Sequence, residues 1–84
     1  MNQEFSQAKE LLDLRGTPCP INFVRTKLRL EQIPTDTFLE VWLDAGEPIE
    51  QVPNSLKVNG YNLQSVKECE GYFALLVSRP SGSL

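Results

Sequence analysis

The stretch RGTPCPINFVR, from Arg15 to Arg25, places Cys19 after a Gly-Thr-Pro turn and just ahead of an uninterrupted helical pattern. A strand-to-helix junction exposes the first helical N–H groups and the positive end of the helix dipole, a setting that favours the thiolate form of a cysteine. Pro20 suits the first helical position, where its missing N–H is one that a helix leaves unpaired in any case. Arg15 can add positive charge close by. The competing reading is packing, because cysteine is among the residues most often buried as a small apolar side chain. Position alone leaves both readings open.

Other residues offer less. Cys69 stands between Glu68 and Glu70 in a turn pattern, where neighbouring negative charge disfavours a thiolate, so it is read as nonessential. A Cys19–Cys69 disulfide, or a resolving thiol, finds no support in the long separation of the two residues or in a reducing compartment. Asp44, Glu47 and Glu50 could be taken for a cation site, but Asp44 and Glu47 also suit the start of a second helix through capping and the dipole, and that reading is favoured. The chain has two cysteines and no histidine. That excludes a four-ligand structural zinc site and any Cys-His or Ser-His mechanism within one chain. No metal or cofactor is expected, and thiol chemistry must rest on local electrostatics.

These residues need a scaffold, and 84 residues make one domain with a small core. The domain is expected over 1–84, with an ordered core over about 10–79 and frayed ends at 1–9 and 80–84. A net charge of −3 argues against nonspecific nucleic-acid binding, which requires clustered Lys and Arg, so no direct nucleic-acid partner is expected. No apolar run approaches the roughly 20 residues that cross a bilayer, so no membrane partner is expected and a cytoplasmic location is.

Leu11 to Leu14 reads as a first strand, closed by the Arg15-Gly16-Thr17-Pro18 turn. From Pro20 to about Ile33, Phe23, Thr26, Leu30 and Ile33 form a helical stripe, with a second stripe of Ile21, Val24 and Leu28 to one side. Arg25 and Arg29 lie between the two stripes. Pro34 stops this helix, and Thr37 to Leu43, apolar on both parities, reads as a central strand. Ile49, Val52 and Leu56 mark a second helix entered at Pro48, which Pro53 is expected to kink or split. Asn59-Gly60 stops it. Asn62 to Glu68 and Tyr72 to Arg79 complete an antiparallel hairpin. The order βαβαββ predicts an α+β two-layer sandwich, with two helices on one face of a four-stranded mixed sheet.

The stretch Leu12 to Val24 resembles the signature of the TusA/SirA family of small sulfur-carrier proteins, in which a Cys-Pro-x-Pro motif opens the first helix. Later landmarks follow in order: Asp44-Ala-Gly-Glu-Pro48 before the second helix, Val52-Pro53 within it, and Asn59-Gly60-Tyr61 at the turn into the hairpin. The likeness spans roughly Leu11 to Arg79. It implies that Cys19 accepts a sulfane sulfur as a persulfide from a donor protein, a cysteine desulfurase or a rhodanese-like enzyme, and hands it to an acceptor protein. The chain would then be a sulfurtransferase-like carrier rather than a stand-alone enzyme, serving tRNA thiolation, cofactor assembly or sulfur oxidation. Arg15, Gly16, Pro18, Pro20 and Asn22 frame the thiol, with Asn22 standing where the family has its second motif proline. Helix initiation survives that exchange, since asparagine in the first turn offers an amide and its own backbone donor. Ile21 would supply an apolar contact for partners, and Arg25 and Arg29 would steer an acidic surface. The alternative is a noncatalytic interaction or regulatory module that uses the surface around helix one. A nucleic-acid-binding domain is a weaker third reading.

Overall fold

A computed structural model describes residues 9–35 and 37–79. The elements run β1 (Lys9–Asp13), α1 (Ile21–Gln32), β2 (Phe38–Leu43), α2 (Glu47–Val58), β3 (Asn62–Glu68) and β4 (Phe73–Ser78). This is the expected βαβαββ order. The loose ends expected at 1–9 and 80–84 lie outside the described residues, except Lys9, which opens β1.

The sheet has the order β1-β2-β4-β3. β1 runs parallel to β2, with Leu12 beside Val41, and β4 runs antiparallel to both β2 and β3. The register of β3 on β4 shifts between Leu63 and Ser65, leaving Gln64 as the extra residue of a bulge. Strand β2, apolar on both parities, lies between two neighbours as expected. Its odd-numbered residues Leu39, Val41 and Leu43 are fully buried, whereas Phe38, Glu40 and Trp42 are half-buried. This alternation turns one face of the sheet to the helices and leaves the other toward solvent. Leu39, Val41, Leu43, Leu75 and Val77 meet Leu30 and Ile33 at α1 and Val52 and Leu56 of α2 in a single core.

Helix α1 packs through Asn22, Thr26 and Leu30, with Ile33 just beyond its end and Phe23 partly buried. The second stripe is 51%, 46% and 57% exposed at Ile21, Val24 and Leu28. At about 100° per residue those three positions point roughly opposite the buried ones, so they form an outer face rather than a flank of the core.

Helix α2 is continuous through Pro53. The proline was expected to kink or split it, yet the helix is not divided there. Proline removes one N–H, the would-be partner of the Ile49 carbonyl. Val52 and Leu56, fully buried on either side, hold both halves against the same core. The helix ends at Asn59-Gly60 as expected, with Gly60 at φ 91°. Gly60 N–H donates to Lys57 and Tyr61 N–H to Leu56, each at 3.0 Å, which is the paired pattern of a Schellman stop. The Tyr61 hydroxyl then donates to Glu31 of α1. Burial first, and that hydrogen bond second, push the hydroxyl up to about 12.

Candidate thiol site at the head of the first helix

Leu14, 1% exposed, anchors the chain where β1 ends, its N–H bonded to the Trp42 carbonyl at 3.0 Å. The backbone then reverses: Thr17 N–H donates to Leu14 at 3.0 Å across Arg15 and Gly16. Gly16 takes φ 81°, the positive value that this kind of turn needs at its third residue. A Cβ there would meet nothing within 4 Å, so conformation rather than space calls for glycine. The Gly16 N–H is bound by Asp44 Oδ2 at 2.6 Å, which ties the thiol loop to the β2–α2 turn.

Arg15, expected to add positive charge near Cys19, has its guanidinium engaged by other groups. Its Nε and Nη2 grip the two carboxylate oxygens of Asp13 at 2.9 and 2.7 Å. Its guanidinium lies 4.7 Å from the Trp42 ring centre and 4.8 Å from that of Tyr72. Trp42 is itself fixed, its indole N–H donating to Glu40 at 2.7 Å. Side-chain and backbone hydrogen bonds from Arg15 hold the Asp13 carboxyl at about 2, below its ordinary 3.8. Arg15 therefore fastens the end of β1 to the sheet through Asp13 and two rings.

Beyond the turn, Pro18-Cys19-Pro20 leads into α1, and the Cys19–Pro20 peptide is cis. Pro20 occupies the N-cap, one position before its expected place, and its carbonyl accepts the Val24 N–H at 3.0 Å. The helix head does not offer its backbone donors to the sulfur in the simple way the junction suggests. Asn22 N–H is taken by the Pro18 carbonyl at 3.0 Å, and Phe23 N–H by the Asn22 side-chain oxygen at 2.7 Å. The sulfur of Cys19 instead receives the Asn22 side-chain N–H, at a nitrogen–sulfur distance of 3.2 Å. Asn22 is completely buried.

Cys19 is half-buried and lines two clefts. One, of about 310 Å³, lies between the helices, with Phe23 on one wall and Glu47, Gln51 and Ser55 of α2 on the other. The second, of about 400 Å³, lies over Gly16, Thr17 and Pro18 on the loop side and Asp44 and Pro48 opposite.

Of the residues expected to frame the thiol, Gly16 lies in the turn before it, Pro18 and Pro20 flank it, and Asn22 reaches it from the first turn of α1, while the Arg15 side chain lies on Asp13, Trp42 and Tyr72. The tentative docking residues separate. Ile21 and Arg25 are exposed, while Arg29 pairs with Glu10 of β1 at 3.0 Å. Asp44 does not cap α2, whose N-cap is Gly46 with no side-chain bond; Glu47 and Glu50 do lie in its first turn, where they suit the dipole. Sequence reasoning missed the role of Asp44 toward Gly16. Cys69 is free and half-buried at the β3–β4 turn, its N–H bonded to the Tyr72 carbonyl at 2.8 Å. No group of three or more His, Cys, Asp or Glu able to hold a metal occurs among the described residues. Nor is any helix among them long and apolar enough to cross a membrane.

The family model described as "Sulfurtransferase TusA" matches residues 10–79. Three relatives carry the name "Putative sulfur carrier protein". One from Archaeoglobus fulgidus is 34% identical over 74 residues, covering 87% of this chain and 84% of that one. One from Thermotoga maritima is 34% identical over 62 residues, covering 74% and 78%. One from Methanocaldococcus jannaschii is 29% identical over 72 residues, covering 86% and 96%. The match runs from β1 through β4 and includes the whole thiol loop, so this chain belongs to the TusA family of sulfurtransferases.

Proposed function

We propose that this chain carries sulfur as a persulfide on Cys19, taking it from a donor protein and passing it to an acceptor protein. The observation that carries the reading is the place of Cys19 in the lining of two clefts, in a chain of this family. The thiolate of Cys19 attacks the terminal sulfur of a persulfide on the donor. A new sulfur–sulfur bond forms at Cys19, the donor's sulfur–sulfur bond breaks, and the donor cysteine leaves as a thiolate with the bonding pair. The proton of the transferred SH group travels with it. No electron is gained or lost overall, so the exchange requires neither metal nor redox cofactor.

The donor is of the cysteine-desulfurase or rhodanese type, and both partners reach the thiol over the outer face of α1. Ile21, Val24 and Leu28 supply apolar contact there, and the exposed Arg25 supplies positive charge toward an acidic rim. Arg29, held by Glu10, contributes to the fold before it contributes to docking. Arg15, Gly16, Pro18 and Pro20 shape the turn that presents the sulfur. A reducing cytoplasm suits a carrier whose thiol must stay available. The purely binding alternative draws its motive from Asn22 and the modest net charge of −3, and the Asn22 amide donates a hydrogen bond to the Cys19 sulfur. Incubation with a cysteine desulfurase and sulfur-labelled cysteine tests the reading: label becomes bound to the protein and is released by reductant. Absence of bound label with several desulfurases contradicts it.

A further inference from the structure

Asn22 is the unexpected residue of the core, a wholly buried amide where the family resemblance implies a proline. Its orientation is settled by its neighbours. Phe23 N–H donates to Oδ1 at 2.7 Å, so the oxygen end of the amide is occupied and the NH₂ end must be the one facing Cys19. The rest of the residue is held as firmly. Its backbone N–H is bonded to Pro18 at 3.0 Å, and its carbonyl accepts the Thr26 hydroxyl at 2.9 Å.

We propose that Asn22 is a positioning residue for the sulfur chemistry of Cys19, its fixed amide donating a hydrogen bond that orients the sulfur and stabilises negative charge as it develops there. The consequence for transfer rests on the sulfur-carrier reading. In the loaded state Cys19 contributes the inner sulfur of the persulfide. An amide on that inner sulfur leaves the outer one free for attack. When an acceptor thiolate takes the outer sulfur, the bond to the Cys19 sulfur breaks and Cys19 leaves as a thiolate with the electron pair. A donor already in place stabilises that leaving group and hastens release. Proline at this position has no N–H of any kind to give.

A hydrogen bond to a thiolate has two opposed effects. It enlarges the anionic fraction and lowers the nucleophilicity of each anion. The test is the rate of alkylation of Cys19 by iodoacetamide, a neutral reagent, across pH, with Cys69 in the same molecule as the internal reference. In Asn22→Pro the Cys19 rate is expected to fall about threefold near neutral pH and to exceed the wild-type rate in strong alkali, so that the two profiles cross. Asn22→Asp keeps an oxygen for Phe23 N–H and replaces the donor, and its profile crosses in the same sense. Cys69 rates stay unchanged in both. In the wild type, alkylating Cys19 shifts the Asn22 side-chain amide resonance, a measurement that does not depend on any variant folding.

Profiles of a folded variant that superimpose on wild type overturn the proposal. A uniform loss at every pH without crossing also overturns it, since that is what a merely structural role gives. So does an Asn22 amide resonance that is blind to alkylation. Failure of wild-type protein to take up sulfur from a desulfurase contradicts the carrier reading instead, and leaves the alkylation profile to stand or fall by itself.

Discussion

The carboxylate of Asp44 holds the backbone N–H of Gly16 at 2.6 Å, joining two turns 28 residues apart. The bond fixes the loop that presents Cys19 against the start of α2, whose side chains line both clefts. Asp44→Ala is expected to cost about 0.5–1.5 kcal/mol in urea unfolding, the net worth of one hydrogen bond. It also slows sulfur loading, because the loop loses its tether. Asp44→Asn keeps an acceptor oxygen and retains most of both. Equal loading rates in wild type and Asp44→Ala sink the tether argument.

Asp13 and Arg15 give the protein an acid-sensitive fastening. The Asp13 carboxyl is held at about 2 against an ordinary 3.8. A depressed carboxyl stabilises the fold above its unfolded value, and that contribution is lost as pH falls through its folded value. Stability therefore declines between about 3.8 and about 2 on this account, and Arg15→Ala removes that part of the decline. Trp42, the single tryptophan, touches the Arg15 guanidinium and reports the change by fluorescence. An acid unfolding profile of Arg15→Ala with the same slope in that window counts against the assignment.

Much of the scaffold is legible in the sequence because its signals are local. Pro34, Gly60 and the apolar parity of Phe38 to Leu43 each act within one element, and they place the helices, the central strand and the hairpin. The landmarks from Leu12 to Tyr61 also carry the resemblance to the family. What escapes depends on distant partners or on which way a side chain faces. Two apolar stripes on α1 look alike in sequence, and only packing decides that Thr26 and Leu30 turn inward while Val24 and Leu28 turn out. Arg15 is near Cys19 in the chain, yet the ladder of β1 on β2 brings it to Trp42, and β4 brings Tyr72. Pro53 predicts a kink or a split by local rules, and with Val52 and Leu56 buried on either side the helix is not split there. Asp44 is a natural cap by composition, but the parallel pairing of β1 with β2 carries Gly16 to it first.

The outer stripe of α1 separates docking from reactivity. Val24 is 46% exposed, so Val24→Glu is expected to change stability by no more than about 0.5 kcal/mol. Its alkylation by a small reagent stays at the wild-type rate. Sulfur loading from a protein donor falls at least about fivefold, the effect of losing about 1 kcal/mol at a docking surface. Loading at the wild-type rate moves the donor's footprint elsewhere.

The most direct test of the carrier account is intact-mass and peptide-mass analysis after incubation with a cysteine desulfurase and cysteine. Wild type and Cys69→Ser are each predicted to gain one sulfur, removable by reductant and mapped to the peptide containing Cys19, while Cys19→Ser gains none. No sulfur on the wild type, or the same adduct on Cys19→Ser, contradicts the account.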